Sequence, residues 1–248
     1  MDPGGGGPMS TTMAVLGEFG DAIQFIFDER ESPAGGARVG GLSEMWELMW
    51  EHLKLSGAAM AIACLVSMPL GLWLGHIGKG GFLAINASNV GRAVPVLALI
   101  AFFVAFLGVG FTNLTLALVL LAIPPILTNT YTGVRQVDRD TVDSARGMGM
   151  TGAQIVRRVE LPLALPLIFG GVRISAVNVV ATATIAPLAG VITLGDPIIN
   201  VNTYGDEGRL AAAIVVALLA VVTEASLAAL QRGATPRGLK LDRREATP

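Results

Sequence analysis

The sequence predicts an all-α polytopic membrane protein with five core transmembrane helices. Hydrophobic residues make up 52% of the chain and charged residues only 15%, whereas soluble domains carry about 25% charged residues. The apolar residues lie in long continuous runs and do not alternate with polar ones, which favours helices over a β-barrel. The formal net charge of −2 gives no reason to expect a nucleic acid as a partner.

Five apolar segments account for the predicted spans. A bilayer core of about 30 Å is crossed by roughly 20 residues of helix. The second segment is slightly short, the third ends at a Pro-Pro pair, and the fourth is longer than one span needs. The segments are Leu55–Gly75, Ala93–Val109, Phe111–Leu127, Leu161–Leu194 and Leu210–Leu230.

Two amphipathic stretches precede the first span. Met13–Phe27 is apolar but is interrupted by Glu18 and Asp21, so we expect an interfacial helix on the outer face. A sixth, poorly formed span is the alternative for this stretch. Gly41–Leu53 is predicted to be helical again, with Ser43 as its N-terminal cap.

Lysine and arginine residues set the expected orientation, because they are enriched in cytoplasmic loops. With the N-terminus outside, twelve fall on the inner side and four on the outer side. The inner residues are Lys79, Arg92, Arg135, Arg139, Arg146, Arg157, Arg158, Arg232, Arg237, Lys240, Arg243 and Arg244, and the outer residues are Arg30, Arg38, Lys54 and Arg209. The sequence therefore predicts an extracytoplasmic tail (1–54), a permease domain (55–230) and a basic cytoplasmic tail (231–248).

One predicted cytoplasmic loop, residues 132–162, is long and polar. Asp138–Met148 should form a short helix, and Gly149–Gly152 should form a turn because glycine tolerates unusual backbone conformations. Ala153–Glu160 should form a second short helix, with Pro162 in the first turn of the following span. These features alone fit either a solvated connector or a docking element.

The loop resembles the cytoplasmic signature of ABC importer permeases, which is Glu-Ala-Ala, three residues, Gly, nine residues, Ile, one residue and Leu-Pro. Here Asp143, Ser144 and Ala145 stand at the first triplet and Gly149 at the glycine. Val159 stands at the isoleucine, and Leu161 and Pro162 form the closing pair. Asp for Glu, Ser for Ala and Val for Ile are conservative departures, and the spacing is intact.

This resemblance implies a MetI-like ABC permease fold and gives the loop a function. In that family the loop inserts into a groove on a separate ATPase subunit, so we call residues 132–162 the coupling loop. Its candidate contact residues are Asp143, Ser144, Ala145, Arg146, Gly147, Gly149, Val159, Leu161 and Pro162. ATP and magnesium are expected on the ATPase, and this chain is expected to be neither an enzyme nor a cofactor protein, since "GKGG" (Gly78–Gly81) lacks the Walker A pattern. His52 and His76 flank the first span at opposite ends, so no metal site is expected.

Further stretches resemble permeases for osmoprotectants such as glycine betaine, choline, carnitine or proline. "NTYTGV" (Asn129–Val134) and "LPLALPLIFGGVRISAV" (Leu161–Val177) carry this resemblance most specifically. It implies an extracytoplasmic substrate-binding protein, a second permease subunit of the same or a related kind, and a bacterial cell membrane. "VPVLALIAFF" (Val94–Phe103) is shared with methionine and other amino-acid permeases, which are the first alternative. A secondary transporter is the alternative of another class.

Polar residues within the spans are candidates for a translocation pathway. They are Asn113, Arg173, Ser175, Asn178 and Thr182. Ser175, Asn178 and Thr182 share a helical spacing that places them on one face. Hydrogen bonds between helices are the alternative use of these side chains. Arg173 either forms an ion pair, for which Glu224 is a candidate partner, or acts as a gate.

Overall fold

The structure, a computed structural model, describes residues 8–82, 86 and 94–235. Most of these residues are helical, and a small antiparallel hairpin pairs Glu29–Glu31 (β1) with Arg38–Gly40 (β2). The principal helices are α1 (Pro8–Phe27), α2 (Gly41–Ile77), α3 (Val96–Leu107), α4 (Phe111–Arg135), α5 (Arg139–Gly147), α6 (Gly152–Ile155), α7 (Leu161–Thr182), α8 (Asp196–Ile199) and α9 (Val201–Ala234). A π-helical turn, Val156–Glu160, joins α6 to α7, and a 3-10 helix, Ala183–Ala189, follows α7.

Four helical stretches among the described residues are long and apolar enough to cross a membrane. They are Gly41–Ile77, Phe111–Arg135, Gly152–Ala189 and Val201–Ala234. They contain the first, third and fifth predicted segments and most of the fourth, whose helical part ends at Ala189 and not at Leu194. The second segment corresponds to α3, which has only 12 residues and is therefore about 18 Å long. Its beginning at Ala93 lies outside the described residues.

The predicted end of the third segment at the Pro-Pro pair is wrong, because α4 continues through Pro124 and Pro125 to Arg135. A proline inside a helix removes one backbone hydrogen bond and normally favours a break. Both prolines are buried, as is Ile126 beside them. Packing of this stretch against its neighbours therefore outweighs the local cost of the prolines.

The predicted cap at Ser43 is also wrong. Helix α2 begins at Gly41, and the carboxylate of Glu44 accepts the backbone N–H of Gly40 at 2.5 Å. The acidic side chain thus satisfies one of the free N–H groups at the helix start. The predicted helix Gly41–Leu53 and the first span form one continuous helix.

The centre of the bundle is formed by α2, α4 and α7. Glycines bring α2 and α4 together: a Cβ atom at Gly71 would lie 2.7 Å from Cβ of Thr130, and one at Gly75 would lie 2.6 Å from Cβ of Val134. The spacing Gly71–Gly75, which indicates close helix packing, therefore lies at a real contact between helices. This contact fixes the end of α2 next to the coupling loop.

A second core lies at the opposite end of the molecule. Ala22 and Phe25 of α1 are buried together with Met45 and Leu48 of α2 and with residues of α9. Gly208 admits the ring of Phe25, because a Cβ atom there would lie 2.9 Å from Cζ of Phe25. This core anchors α1 and the β1–β2 hairpin against the ends of α2 and α9.

Candidate functional site

The first half of the coupling loop is a short, capped helix. Asp138 accepts the backbone N–H of Asp140 at 2.8 Å, and α5 follows as Arg139–Gly147. The predicted helix over Asp138–Met148 is thus confirmed, since these two residues are its caps. Ala145 is buried, whereas Asp143 and Arg146 are exposed and form an ion pair at 3.1 Å.

The turn after α5 depends on Gly149. Its φ angle is +82°, a conformation that glycine adopts without strain. The N–H of Met150 donates to the carbonyl of Ala145 at 3.2 Å and closes the turn. Thr151 then caps α6 together with Gln154, each side chain bonding the other's backbone N–H. These contacts give the loop a defined shape.

The second half of the loop differs from the prediction. Ala153–Glu160 does not form a separate helix, because α6 passes through the π-helical turn directly into α7. The N–H of Leu161 donates to the carbonyl of Val156, and this wider register lets Pro162 follow without a break in the helix. The second half of the coupling loop, from Gly152, and the span that follows it are consequently one continuous helical body.

The structure adds two residues that the sequence did not single out as a pair. His76, near the end of α2, places Nδ1 2.9 Å from Oε2 and 3.0 Å from Oε1 of Glu160. Glu160 is only 4% exposed. An acid directly before an apolar span, next to the closing Leu-Pro of the signature, is the signal that could have pointed to it. Its partner lies 84 positions earlier in the chain, which no local pattern reveals.

A cavity of about 450 Å³ lies beside this pair. Its lining residues come from the end of α2, the end of α4 and the coupling loop, and include Gly78, Arg135, Arg139, Arg146 and Glu160. Three arginines and the exposed Asp143 make this end of the bundle strongly polar. It can bind another protein through charged and polar contacts.

Two of the candidate pathway residues are used for hydrogen bonds within the bundle. Nδ2 of Asn113 donates to the carbonyl of Leu107 at 3.0 Å and also to that of Gly108, so it satisfies the end of α3. Ser175 is fully buried, and its Oγ donates to the carbonyl of Ala122 in α4 at 2.8 Å. Both side chains have the structural use that was the alternative to a pathway.

Two other candidates lie together on a different surface of α7. Arg173 and Asn178 line a cavity of about 550 Å³ with Glu224, while Thr182 is partly buried where α7 changes to the 3-10 helix. The structure therefore separates Ser175 from Asn178, although the sequence spacing placed them on one face. A single face of α7 that includes Ser175 and Asn178 must be broad. It borders α4 on one side and the cavity on the other.

Arg173 forms the ion pair for which Glu224 was the candidate partner. Its Nε donates to Oε1 of Glu224 at 2.9 Å, and its Nη1 donates to Oε1 of Gln231 at 2.7 Å. Nε2 of Gln231 in turn donates to the carbonyl of Pro166 at 3.1 Å. These contacts connect α7 to α9 through polar groups.

The opposite end of the bundle has its own polar junction. The hydroxyl of Tyr204 lies 3.0 Å from Oδ2 of Asp196 and 3.2 Å from Oε1 of Glu44. A cavity of about 670 Å³ adjoins these groups and is also lined by Trp50. Within residues 8–82, 86 and 94–235, no three His, Cys, Asp or Glu side chains are grouped as metal ligands.

Comparisons with known proteins agree with the membrane-spanning helices. A family model for the binding-protein-dependent transport system inner membrane component matches residues 67–236. The glycine betaine/carnitine/choline transport system permease protein OpuCB of Bacillus subtilis (strain 168) is 39% identical over 191 residues, which cover 77% of this chain and 88% of that protein. The choline transport system permease protein OpuBB of the same strain is 41% identical over 192 residues, with 77% and 88% covered.

A solved structure of similar fold is that of the MetNI methionine ABC transporter in inward-facing conformations. The TM-score is 0.67 at 20% identity, and the match covers 79% of this chain and 98% of that chain. At this identity the likeness concerns the fold alone. It agrees with the fold that the signature implied.

Proposed function

Because the chain belongs to the family of binding-protein-dependent transport system inner membrane components, we propose that it is the transmembrane permease subunit of an ATP-driven importer for osmoprotectants. Glycine betaine, choline and carnitine are the proposed solutes, with proline as a further member of the class. ATP hydrolysis occurs on a separate ATPase subunit. This chain supplies the path across the bacterial cell membrane and converts ATPase movement into alternating access.

The geometry of the coupling loop is the observation that carries this proposal. Asp143, Ser144, Arg146, Gly147 and Gly149 are all exposed, so their side chains and backbone are open to a partner. Its caps and the turn at Gly149 give the loop a defined shape. Since α6 continues into α7, a push on the loop acts directly on a membrane helix.

The loop is proposed to face the cytoplasm, with the N-terminus outside and the C-terminus inside. Arg135, Arg139, Arg157 and Arg158 all belong to the loop-bearing end, which fits the enrichment of positive charge on the cytoplasmic side. The four long helices and α3 together make five membrane crossings. An odd number of crossings agrees with termini on opposite sides of the membrane. The Tyr204 junction then lies on the outer side, where a substrate-binding protein would dock.

The substrate class is supported by the relatives and by the stretches that resemble osmoprotectant permeases. OpuCB and OpuBB carry choline, carnitine or glycine betaine in their names and share 39–41% identity with this chain. A substrate-binding protein would hold a quaternary ammonium group in an aromatic cage by cation–π attraction. A second permease subunit, either a copy of this chain or a related one, completes the pathway.

The test is uptake of labelled glycine betaine, choline, carnitine, proline and methionine by a deletion strain complemented with the wild type or with Gly149→Asp. Gly149 has a φ of +82°, and a side chain there costs roughly 1–3 kcal/mol of backbone strain. We expect the wild type to restore quaternary-amine uptake and Gly149→Asp to abolish it. The matched control is Gly35→Asp, since Gly35 has a φ of +80° and equally open surroundings, but lies far from the loop.

The alternatives give different results in the same assay. A defect restricted to methionine would assign the chain to the amino-acid permeases. Uptake that continues when the catalytic residue of the partner ATPase is mutated would indicate a secondary transporter. Normal uptake by Gly149→Asp at wild-type membrane levels would contradict the assigned role of the coupling loop.

A further inference from the structure

Glu160 is a buried acid at the membrane end of the coupling loop. Removing the hydration of a carboxylate costs free energy unless a partner compensates for it, so buried acids are normally paired. The imidazole of His76 provides the partner, with Nδ1 2.9 Å from Oε2. The pair joins the last turn of α2 to the end of the π-helical turn.

His76 also contacts the start of the same helical body. A Cβ atom at Gly152 would lie 3.1 Å from Nε2 of His76, so the imidazole lies between Gly152 at the start of α6 and Glu160 at the end of the π-helical turn. The backbone that carries His76 is itself held firmly, because the adjacent Gly75 packs against Val134 of α4. The imidazole is thus fixed on both sides.

The surroundings of the His76–Glu160 pair distinguish it from the other contacts between α2 and its neighbours. The cavity of about 450 Å³ separates the end of α2 from α5, so apolar packing between them is missing at this level. Helix α7 is continuous with the second half of the coupling loop, from Gly152, but α2 is not. Movement of the loop therefore reaches α7 through the backbone. It reaches α2 through the packing of α2 against α4 and α7 and, at the level of the loop itself, across the His76–Glu160 contact.

We infer that His76 is a positioning residue that ties the end of α2 to the coupling loop, so that a displacement of the loop by the ATPase moves this end of α2 together with α7. The inference rests on the proposed function, since it requires an ATPase that acts on the loop. His76 touches neither ATP nor solute. It acts through Glu160, because this contact makes the end of α2 and the start of α7 move together.

The first test uses the whole transporter, reconstituted in liposomes with its ATPase and its binding protein, and compares solute uptake with ATP hydrolysis. His76→Ala should leave ATP hydrolysis close to the wild-type rate but lower the uptake per ATP by about tenfold, which is a typical size for coupling between sites. His76→Asn keeps an N–H donor near the position of Nδ1 and should recover most of the loss. His76→Ala/Glu160→Ala should be no worse than His76→Ala, because the two side chains act as one unit.

The control is Gly233→Ala near the end of α9, where a Cβ atom would meet nothing within 4 Å, and it should change neither quantity. A purely structural role of His76 predicts that hydrolysis and uptake fall together with the amount of folded protein. That result, or an unchanged uptake per ATP in His76→Ala, would overturn the inference.

A second measurement does not depend on the solute. Hydrogen exchange is followed in residues 72–78 and 152–160 when the complex is trapped with magnesium, ATP and vanadate. In the wild type the exchange rates of both segments should change, and in His76→Ala only that of residues 152–160 should.

The other outcomes separate the two proposals. If the exchange rates of both segments also change in His76→Ala, the tie between α2 and the loop is overturned and the proposed function stands. If neither changes in the wild type, the ATPase does not act on the loop and both proposals are overturned. Coupled changes without osmoprotectant uptake would contradict the substrate class and support the tie.

Discussion

Helix α7 meets α4 on one side and α9 on the other, and the two contacts are built differently. Against α4 the helices approach as closely as backbone allows. A Cβ atom at Gly171 would lie 2.7 Å from the carbonyl oxygen of Pro125, and one at Gly133 would lie 3.1 Å from Cβ of Ala164. The Ser175 hydroxyl adds a hydrogen bond between the two helices. Close packing of this kind resists sliding because interiors have little free volume.

Against α9 the contact is polar and open. Arg173 reaches Glu224 and Gln231 across the edge of a cavity of about 550 Å³. The side chains of Arg173 and Glu224 remain 30% and 39% exposed. In the most apolar stretch of α9 only 17% of the residues are buried, against 61% in α4.

The difference separates a rigid contact from an adjustable one. We expect helices α4 and α7 to move as one body, because sliding at Gly133 or Gly171 would bring atoms of the two helices into collision. Long side chains such as those of Arg173 and Gln231 can change rotamer and keep their bonds through a small displacement. We therefore expect relative movement during transport to occur between α7 and α9, with α4 following α7.

The largest effect is expected from Gly171→Ala. The added methyl group would meet backbone atoms of Pro125 and Ile126, which cannot move away without separating α4 from α7. Overpacking of this kind costs typically 1–3 kcal/mol. The melting temperature in detergent and the amount of protein in the membrane should both fall clearly.

The neighbouring Gly170 provides a matched control. A Cβ atom there meets nothing within 4 Å, and it lies on the cavity side of the same helix. Gly170→Ala should leave the melting temperature essentially unchanged. Equal effects of the two variants would mean that the α4–α7 contact is no tighter than the α7–α9 contact.

A smaller effect is expected on the adjustable side. Arg173→Ala leaves Glu224 without its charged partner within a membrane helix, where an unpaired charge is unfavourable, so stability and uptake should both fall. Arg173→Ala/Glu224→Ala removes both charges and should restore the melting temperature. Uptake that returns with stability assigns the pair a structural role.

Uptake by these Arg173 and Glu224 variants distinguishes a structural role of Arg173 from the gate hypothesis. A double variant that is stable but inactive would show that Arg173 takes part in transport, as the gate hypothesis requires. Normal uptake by Arg173→Ala alone would contradict the gate. Matching membrane levels of all variants are the condition for reading the assay.

The sequence predicted the elements whose signal is local. Asp138 and Gly149 mark the beginning of α5 and its following turn, where the helix Asp138–Met148 and the turn from Gly149 were predicted. The signature spacing from Asp143 to Pro162 identified the family. Apolar runs located the four long membrane helices. Each of these features depends on residues that are near in sequence.

Features that depend on tertiary contacts were not predictable in the same way. The Pro-Pro pair in α4 was expected to end the helix, but burial against its neighbours keeps the helix intact. The π-helical turn that joins α6 to α7 was not predicted, because no residue type is specific for such a turn. His76 and Glu160 were both visible as isolated polar residues, and only the fold brings them together. Arg173 and Glu224 could be matched from the sequence because their expected depths in the membrane agreed.

The smallest effect is expected from Ser175→Ala, which probes the rigid side again. The variant removes the hydrogen bond to Ala122, and such bonds between membrane helices contribute about 0.6 kcal/mol on average. Stability should therefore fall only slightly, and uptake should stay at the wild-type level because Ser175 is buried against α4 and does not face the cavity. Asn178→Ala, on the cavity side of the same helix, is the comparison variant and should leave stability unchanged. A loss of uptake in Ser175→Ala at normal stability would place the pathway on the α4 side, and the assignment of the two faces would have to be reversed.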